Sequence, residues 1–267
     1  VPVNVALLIG HSWLRESVGH RDKYSHVTDN ELQAMIPLCQ QALDAGCFGI
    51  SYGMRYVPGI DHREFVTTAR TCVPDRRLIA AHVRDDAAGI FAAGREFLDV
   101  ARDLGLPAEV SHIGSMAAFG QMEEFLKMVD AYRLNGLDVT CDCYPYYAFS
   151  TAIGSTTYDE GWRQRYHCDY DVVQLCEGDY QGQRCTEEIF EDVRRTHPEY
   201  LTVCYVMKEQ EVDMALRNPG VMIGSDGILN HGQGHPRAAG AFLRVFSQFV
   251  RKGKLSLYEA IRKMTAM

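Results

Sequence analysis

The chain has 267 residues, 46% of them hydrophobic, enough to bury the core of one domain of up to about 250 residues without requiring a second. A formal charge of -8 with no Lys/Arg cluster argues against a nucleic-acid partner. No run reaches the roughly 18 apolar residues of a membrane span, and the N-terminus lacks the regions of a signal peptide. A cytoplasmic location with no membrane partner is therefore expected, and nine Cys, an odd number, suit reduced thiols better than a disulfide framework.

The chain starts at Val1 and at once enters an apolar, strand-like run over residues 3–9, as a piece cut from a longer protein would. Gly10-His11-Ser12 follows, and a loop-capping role for His11 is not separable here from an approach to a site. Thr28 is placed to cap a helix over 29–45, whose end is marked by Gly46. A strand over 48–52 and a helix over 63–72 come next. The run 78–83 reads as a strand with His82 near its end, followed by a helix over 87–104 that Gly105 stops. Residues 108–113 read as a strand containing His112, then a helix over 119–135 stopped by Gly136. The strand 137–144 carries Asp142-Cys143-Tyr144-Pro145-Tyr146. Its alternation puts Cys141 and Cys143 on one face, where a structural role is favoured because no second Cys pair follows at zinc-site spacing.

Residues 149–219 break this alternation, being rich in Tyr, Cys and charge, and read as an insertion with a helix over 186–195, a strand over 201–207 and a helix over 209–217. Insertions of this length commonly carry binding function. A sixth strand over 221–225 ends at Asp226. Two helices, 240–250 and 256–267, close the chain, the second capped by Ser256 with Glu259 three residues on. Short strands alternating with helices imply a parallel sheet, of which the eight-stranded α/β barrel is the closed version.

His82, His112 and Asp226 each stand at the end of a strand. In a parallel barrel those ends converge on one mouth, so the three could share a divalent ion of the zinc type. For a lone His, a structural hydrogen bond is the plainer reading; the repeated position of all three favours the metal. Asp226, in Gly224-Ser225-Asp226-Gly227, could also cap a turn. Beside an activated water it could take a proton and pass it to a leaving nitrogen. Tyr144 could donate to a substrate carboxylate or carbonyl, or plug the barrel mouth. Arg84 is expected to pair with Asp85 or Asp86. His231 and His235 read as loop support.

Several stretches, in order, resemble the N-acyl-D-amino-acid deacylases (D-aminoacylases) of the amidohydrolase superfamily. They are Asn4-Val5-Ala6 with Gly10-His11 and Leu14-Arg15, the GCFGISYGMRYVPG of 46–59, Ala81-His82-Val83-Arg84-Asp85, Val110-Ser111-His112, Asp142 to Tyr146, Gly224 to Gly227 and His235-Pro236-Arg237. The resemblance implies an incomplete TIM-like (β/α)8 barrel: strands three to seven in 1–148, an insertion between strands seven and eight in 149–219, and strand eight with the C-terminal helices in 220–267. It implies one or two zinc ions, with His82 and His112 as the fifth- and sixth-strand metal histidines. Asp226 becomes the eighth-strand catalytic aspartate, also near the metal, and Tyr144 lies near the carboxylate of a small acylated amino-acid substrate. The family's His-x-His pair and Cys ligand would precede Val1, and its Lys two places after the sixth-strand His is here Gly114. This piece alone is expected to be inactive and, with barrel edges open, poorly soluble. A cyclic-amide hydrolase of the hydantoinase or dihydroorotase kind would use the same metal logic. Its bridging fourth-strand Lys is absent from 48–52. A non-catalytic barrel that lost its metal is the remaining alternative.

Overall fold

The computed structural model describes residues 4–228, 235 and 237–267. It divides into two compact units: Val1–Asp85, Gly89–Ser111 and Lys127–Thr140 form one, and Asp86–Ala88, His112–Leu126 and Cys141–Met267 the other.

The first unit is built on parallel strands β1 (Leu8–Gly10), β2 (Gly49–Gly53), β3 (Leu78–His82) and β4 (Ala108–Val110), with the start of β5 (Val139–Cys143). Leu8 pairs with Gly49, Gly53 with His82, and Ala81 with Val110, so neighbouring strands run in register in chain order. The Ala108 amide donates to the Asp138 carbonyl at 2.9 Å, leading the ladder into β5. β3 is buried through Ile79, Ala80 and Ala81, which explains why it reads as a continuous apolar run rather than an alternating one. Helices Asp29–Asp44, His62–Ala69 and Ile90–Leu104 connect the strands, the last turning apolar residues such as Phe97, Leu98 and Ala101 inward. Thr28 and Glu31 form the full reciprocal cap at the start of the first of these. Gly105 closes the last with φ 66°, in the left-handed region where a Cβ would be penalised.

The second unit contains β6 (Phe149–Ala152), β7 (Val173–Leu175), β8 (Leu201–Cys204) and β9 (Val221–Ile223). β9 pairs in parallel with β5, Asp142 opposite Met222. The parallel strands follow the order β1-β2-β3-β4-β5-β9. The stretch read as an insertion contains a separate antiparallel sheet, β6-β8-β7, so two strands exist beyond the one expected there. Behind that sheet Tyr158, Trp162, Tyr170 and Phe190 pack ring on ring, with centroids 5.2–5.8 Å apart. Helices Glu187–Thr196, Glu209–Arg217, Arg237–Val245 and Leu257–Thr265 complete the unit, and Ser256 with Glu259 caps the last reciprocally.

No described helix is long and apolar enough to cross a membrane.

Candidate functional site

In the first unit His82 is the last residue of β3. Its carbonyl accepts the Met54 amide at 3.0 Å and its ring lies 4.6 Å from that of Tyr56. Arg84 does not pair with the adjacent loop acids. It forks onto Glu96 of the following helix at 2.8 Å, because bidentate guanidinium–carboxylate geometry is available there. Asp85 pairs instead with Arg55 at 3.2 Å.

The first unit also holds a charged cluster that motif reading passed over. His11 opens helix His11–Ser17, is fully buried, and places Nε2 3.3 Å from Glu64 Oε1. Glu64 Oε2 lies 3.4 Å from Arg15 Nη1, and Arg15 also donates to the Ser25 carbonyl at 2.5 Å. Burial, aided by Arg15, lowers His11 to about 3; burial raises Glu64 to about 7 against the pull of Arg15. Asp61-His62-Arg63-Glu64 has the spacing of a capping box, and Asp61 does accept the Glu64 amide at 2.7 Å. The Glu64 carboxylate, however, turns inward to His11 and Arg15.

In the second unit the chain leaves β4 through His112, whose φ of 38° and ψ of 53° are left-handed. The expected strand therefore stops at Val110, and residues 113–117 turn into a short helix. Two contacts hold this bend. The His112 amide donates to Asp142 Oδ1 on β5 at 2.7 Å, and Ser115 Oγ lies 3.0 Å from His112 Nδ1. Room for Asp142 depends on Gly224, which directly follows β9 and where a Cβ would stand 3.3 Å from the Asp142 carboxyl carbon. At Gly114, in that helix, a Cβ would meet Cys143 Sγ at 2.9 Å and Met207 Cε at 3.1 Å, so the space beside it is apolar and filled. Cys141 and Cys143 both point into the buried side of β5.

Tyr144 is wholly buried, and burial pushes its phenol above the ordinary range, opposed by Arg237. The Arg237 guanidinium sits 4.7 Å from the centre of the Tyr144 ring, and Arg237 Nη1 is 3.0 Å from Asp226 Oδ2. Arg237 is itself buried, donates to the Ser150 carbonyl at 3.1 Å, and has no hydrogen-bond partner for Nε among the described residues. Asp226, rather than either flanking glycine, takes the left-handed turn with φ 46°. His235 supports the loop: its Nδ1 accepts the Arg237 amide at 3.0 Å and its ring meets Tyr146 edge-on at 4.8 Å. Burial, then Arg237 and Arg244, lower His235 to about 3. His231 lies outside the described residues.

Of the residues singled out in the sequence, the structure thus joins Asp226 and Tyr144 through Arg237, and ties His112 to Asp142. His82 belongs to the first unit. Among the described residues no group of three or more His, Cys, Asp or Glu side chains is placed to hold a metal ion. Arg237 appears in the His235-Pro236-Arg237 motif without a role of its own; its pairing with Asp226 and Tyr144 is what the sequence reading missed.

No protein-family model matches the chain. It is 30% identical over 280 residues to the N-acyl-D-glutamate deacylase of Alcaligenes xylosoxydans xylosoxydans, covering 99% of this chain and 55% of that protein. The crystal structure of N-acyl-D-glutamate deacylase from Bordetella bronchiseptica, complexed with zinc and a phosphonate that mimics the tetrahedral intermediate, matches with a TM-score of 0.85. Identity to it is 31%, over 99% of this chain and 57% of that one. A crystal structure of D-aminoacylase, described as defining a novel subset of amidohydrolases, matches with a TM-score of 0.86 at 31% identity, over 99% of this chain and 56% of that one. The chain spans about half the length of the relatives it matches. Over nearly all of its own length, this α/β chain is homologous to the D-aminoacylase family of amidohydrolases.

Proposed function

We propose that the protein hydrolyses the linear amide of an N-acyl-D-amino acid, releasing a carboxylate and the free D-amino acid, and that this chain supplies barrel strands three to eight of a (β/α)8 fold. The observation that carries the reading is the Asp226–Arg237–Tyr144 arrangement beyond β9, in a chain whose relatives are deacylases. Six parallel strands in chain order support the barrel, with the β6-β8-β7 sheet lying in the insertion between strands seven and eight.

His82 and His112 would hold zinc, one or two ions in all, with Asp226 close by. The donor chemistry fits: imidazole nitrogens are ligands zinc prefers, and His82 ends β3 while His112 follows β4. Zinc, when bound, supplies Lewis acidity, polarising the scissile carbonyl and activating water. Asp226 accepts the proton of the attacking water and hands it to the leaving nitrogen, which must depart as an amine. Its left-handed turn and the bond to Arg237 fix where that proton is taken up. Arg237 neutralises the substrate carboxylate, its guanidinium held 4.7 Å from the centre of the Tyr144 ring. The filled apolar surroundings of Gly114, with no cation at that position, favour a neutral substrate side chain over an acidic one. A cyclic-amide reading lacks its bridging Lys in β2, which is Gly49-Ile50-Ser51-Tyr52-Gly53.

The test is a comparison of enantiomers. The zinc-loaded protein from the full reading frame should release amine from N-acetyl-D-methionine faster than from its L-isomer by about 10²-fold or more, since the wrong hand cannot satisfy carboxylate anchor and proton donor together. Equal rates, or faster opening of hydantoins than of either isomer, would remove this reading.

A further inference from the structure

We propose that Asp142 is a positioning residue whose one carboxyl group sets both His112 and the chain leading to Asp226. The anchor rests on backbone geometry; its bearing on the metal rests on His112 being a ligand. Along a parallel ladder the bonded residues recur at every second position. The Ala108 amide takes the Asp138 carbonyl at 2.9 Å, so four residues on, the His112 amide would meet the main-chain carbonyl of Asp142. It donates instead to the side chain, reaching Asp142 Oδ1 at 2.7 Å. A main-chain amide can only donate and a carboxyl oxygen accepts, so the direction of this bond is fixed. With a side-chain oxygen in place of the ladder carbonyl, the strand ends and the chain turns at φ 38° and ψ 53°. A residue with a β-carbon disfavours that backbone, and the short bond offsets the strain.

Gly224 is shaped by the same carboxyl group. It directly follows β9, and its amide donates to the Cys143 carbonyl at 3.2 Å, which lays it beside β5. Gly224 does not take a left-handed φ, so space rather than conformation calls for glycine there. A Cβ would stand 3.3 Å from Asp142 Cγ, 3.4 Å from Oδ1 and 3.5 Å from Oδ2. Ser225 and Asp226 come next in the chain. The group that turns His112 out of its strand therefore also fixes how closely the segment carrying Asp226 approaches β5.

The protein from the full reading frame, labelled with ¹⁵N-histidine and freed of metal, reports the His112 amide directly, with His112→Gln supplying the assignment. In D142A exchange of that amide with solvent should quicken by about tenfold or more, and zinc affinity, measured by chelator competition, should fall by about 10- to 100-fold. D142N, which keeps the oxygen and loses the charge, should stay near wild type in both. G224A should quicken exchange and weaken zinc binding in the wild-type background and add nothing in D142A, where the crowded group is gone. An unchanged amide in D142A, a D142N as impaired as D142A, or a G224A effect undiminished in D142A would overturn the proposal. Should D142A not fold, G224A alone decides: a His112 amide exchanging there as in wild type overturns it. Exchange that quickens in D142A and recovers in D142N, with zinc affinity constant throughout, would uphold the anchor and overturn His112 as a ligand.

Discussion

Asp226→Asn should lower kcat by about 10²- to 10⁴-fold, the range that removal of a general acid–base group produces. Asn is the substitution that isolates the chemistry. It is nearly isosteric, and with Asp it is among the residues that best tolerate the left-handed φ of 46° found here. Folding should therefore be kept, and near-ultraviolet circular dichroism should match the wild type. An amide cannot accept the proton of the attacking water. It also deprives Arg237 Nη1 of its 3.0 Å counter-ion, so a modest rise in KM is expected beside the large loss in kcat. Because His82 and His112 are untouched, bound zinc should be largely retained. Steady-state kinetics with a metal assay on the same sample checks this, and full turnover in the variant would remove Asp226 from its role.

A second large effect is expected in the first unit. Glu64→Ala should destabilise the protein by about 3 kcal/mol, the lower end for breaking a buried ion pair, because Arg15 keeps its carbonyl partners. Urea unfolding followed by fluorescence would show the drop in midpoint. The pH dependence carries a sign. The Glu64 carboxyl, buried against His11 and Arg15, stands at about 7, above its ordinary value near 4.5. Nearby Asp61 adds to the rise, while His20 and His26 oppose it. The folded state thus binds a proton that the unfolded state has lost, and this contribution to stability is present below 4.5 and fades as pH rises through 7. His11 works the other way. Held at about 3 against an ordinary 6.5, it adds stability as pH climbs between those values. In Glu64→Gln only the His11 rise should remain, so the variant's stability relative to wild type should improve from pH 4.5 to 7. A parallel pair of stability curves would contradict the assignment.

The sheet was legible because each parallel strand combines a short apolar run with a following polar or glycine residue. Caps at Thr28 and Ser256 and stops at Gly46, Gly105 and Gly136 fixed the helix ends, and the three glycines do take positive φ. His112 shows where local reading fails. The run 108–113 looks like one strand, yet a carboxylate thirty residues away captures the His112 amide and bends the chain. β6 and β7 were missed for a different reason: both are short strands carrying polar residues, in a stretch where strand and helix no longer alternate. The two clusters that motif reading overlooked, Asp226–Arg237–Tyr144 and His11–Glu64–Arg15, join residues 11 to 93 positions apart. Such pairings depend on tertiary packing, and spacing rules for helices and strands carry no information about them.

The central claim, a metal-dependent deacylase, is tested most directly by counting zinc. The protein from its full reading frame, purified without added metal and extensively dialysed, should carry at least one zinc per chain by elemental analysis. Chelation should remove both the zinc and the D-specific amidase activity, and stoichiometric zinc should return them together. Less than one zinc per chain, or amidase activity that survives complete removal of metal, would contradict the account.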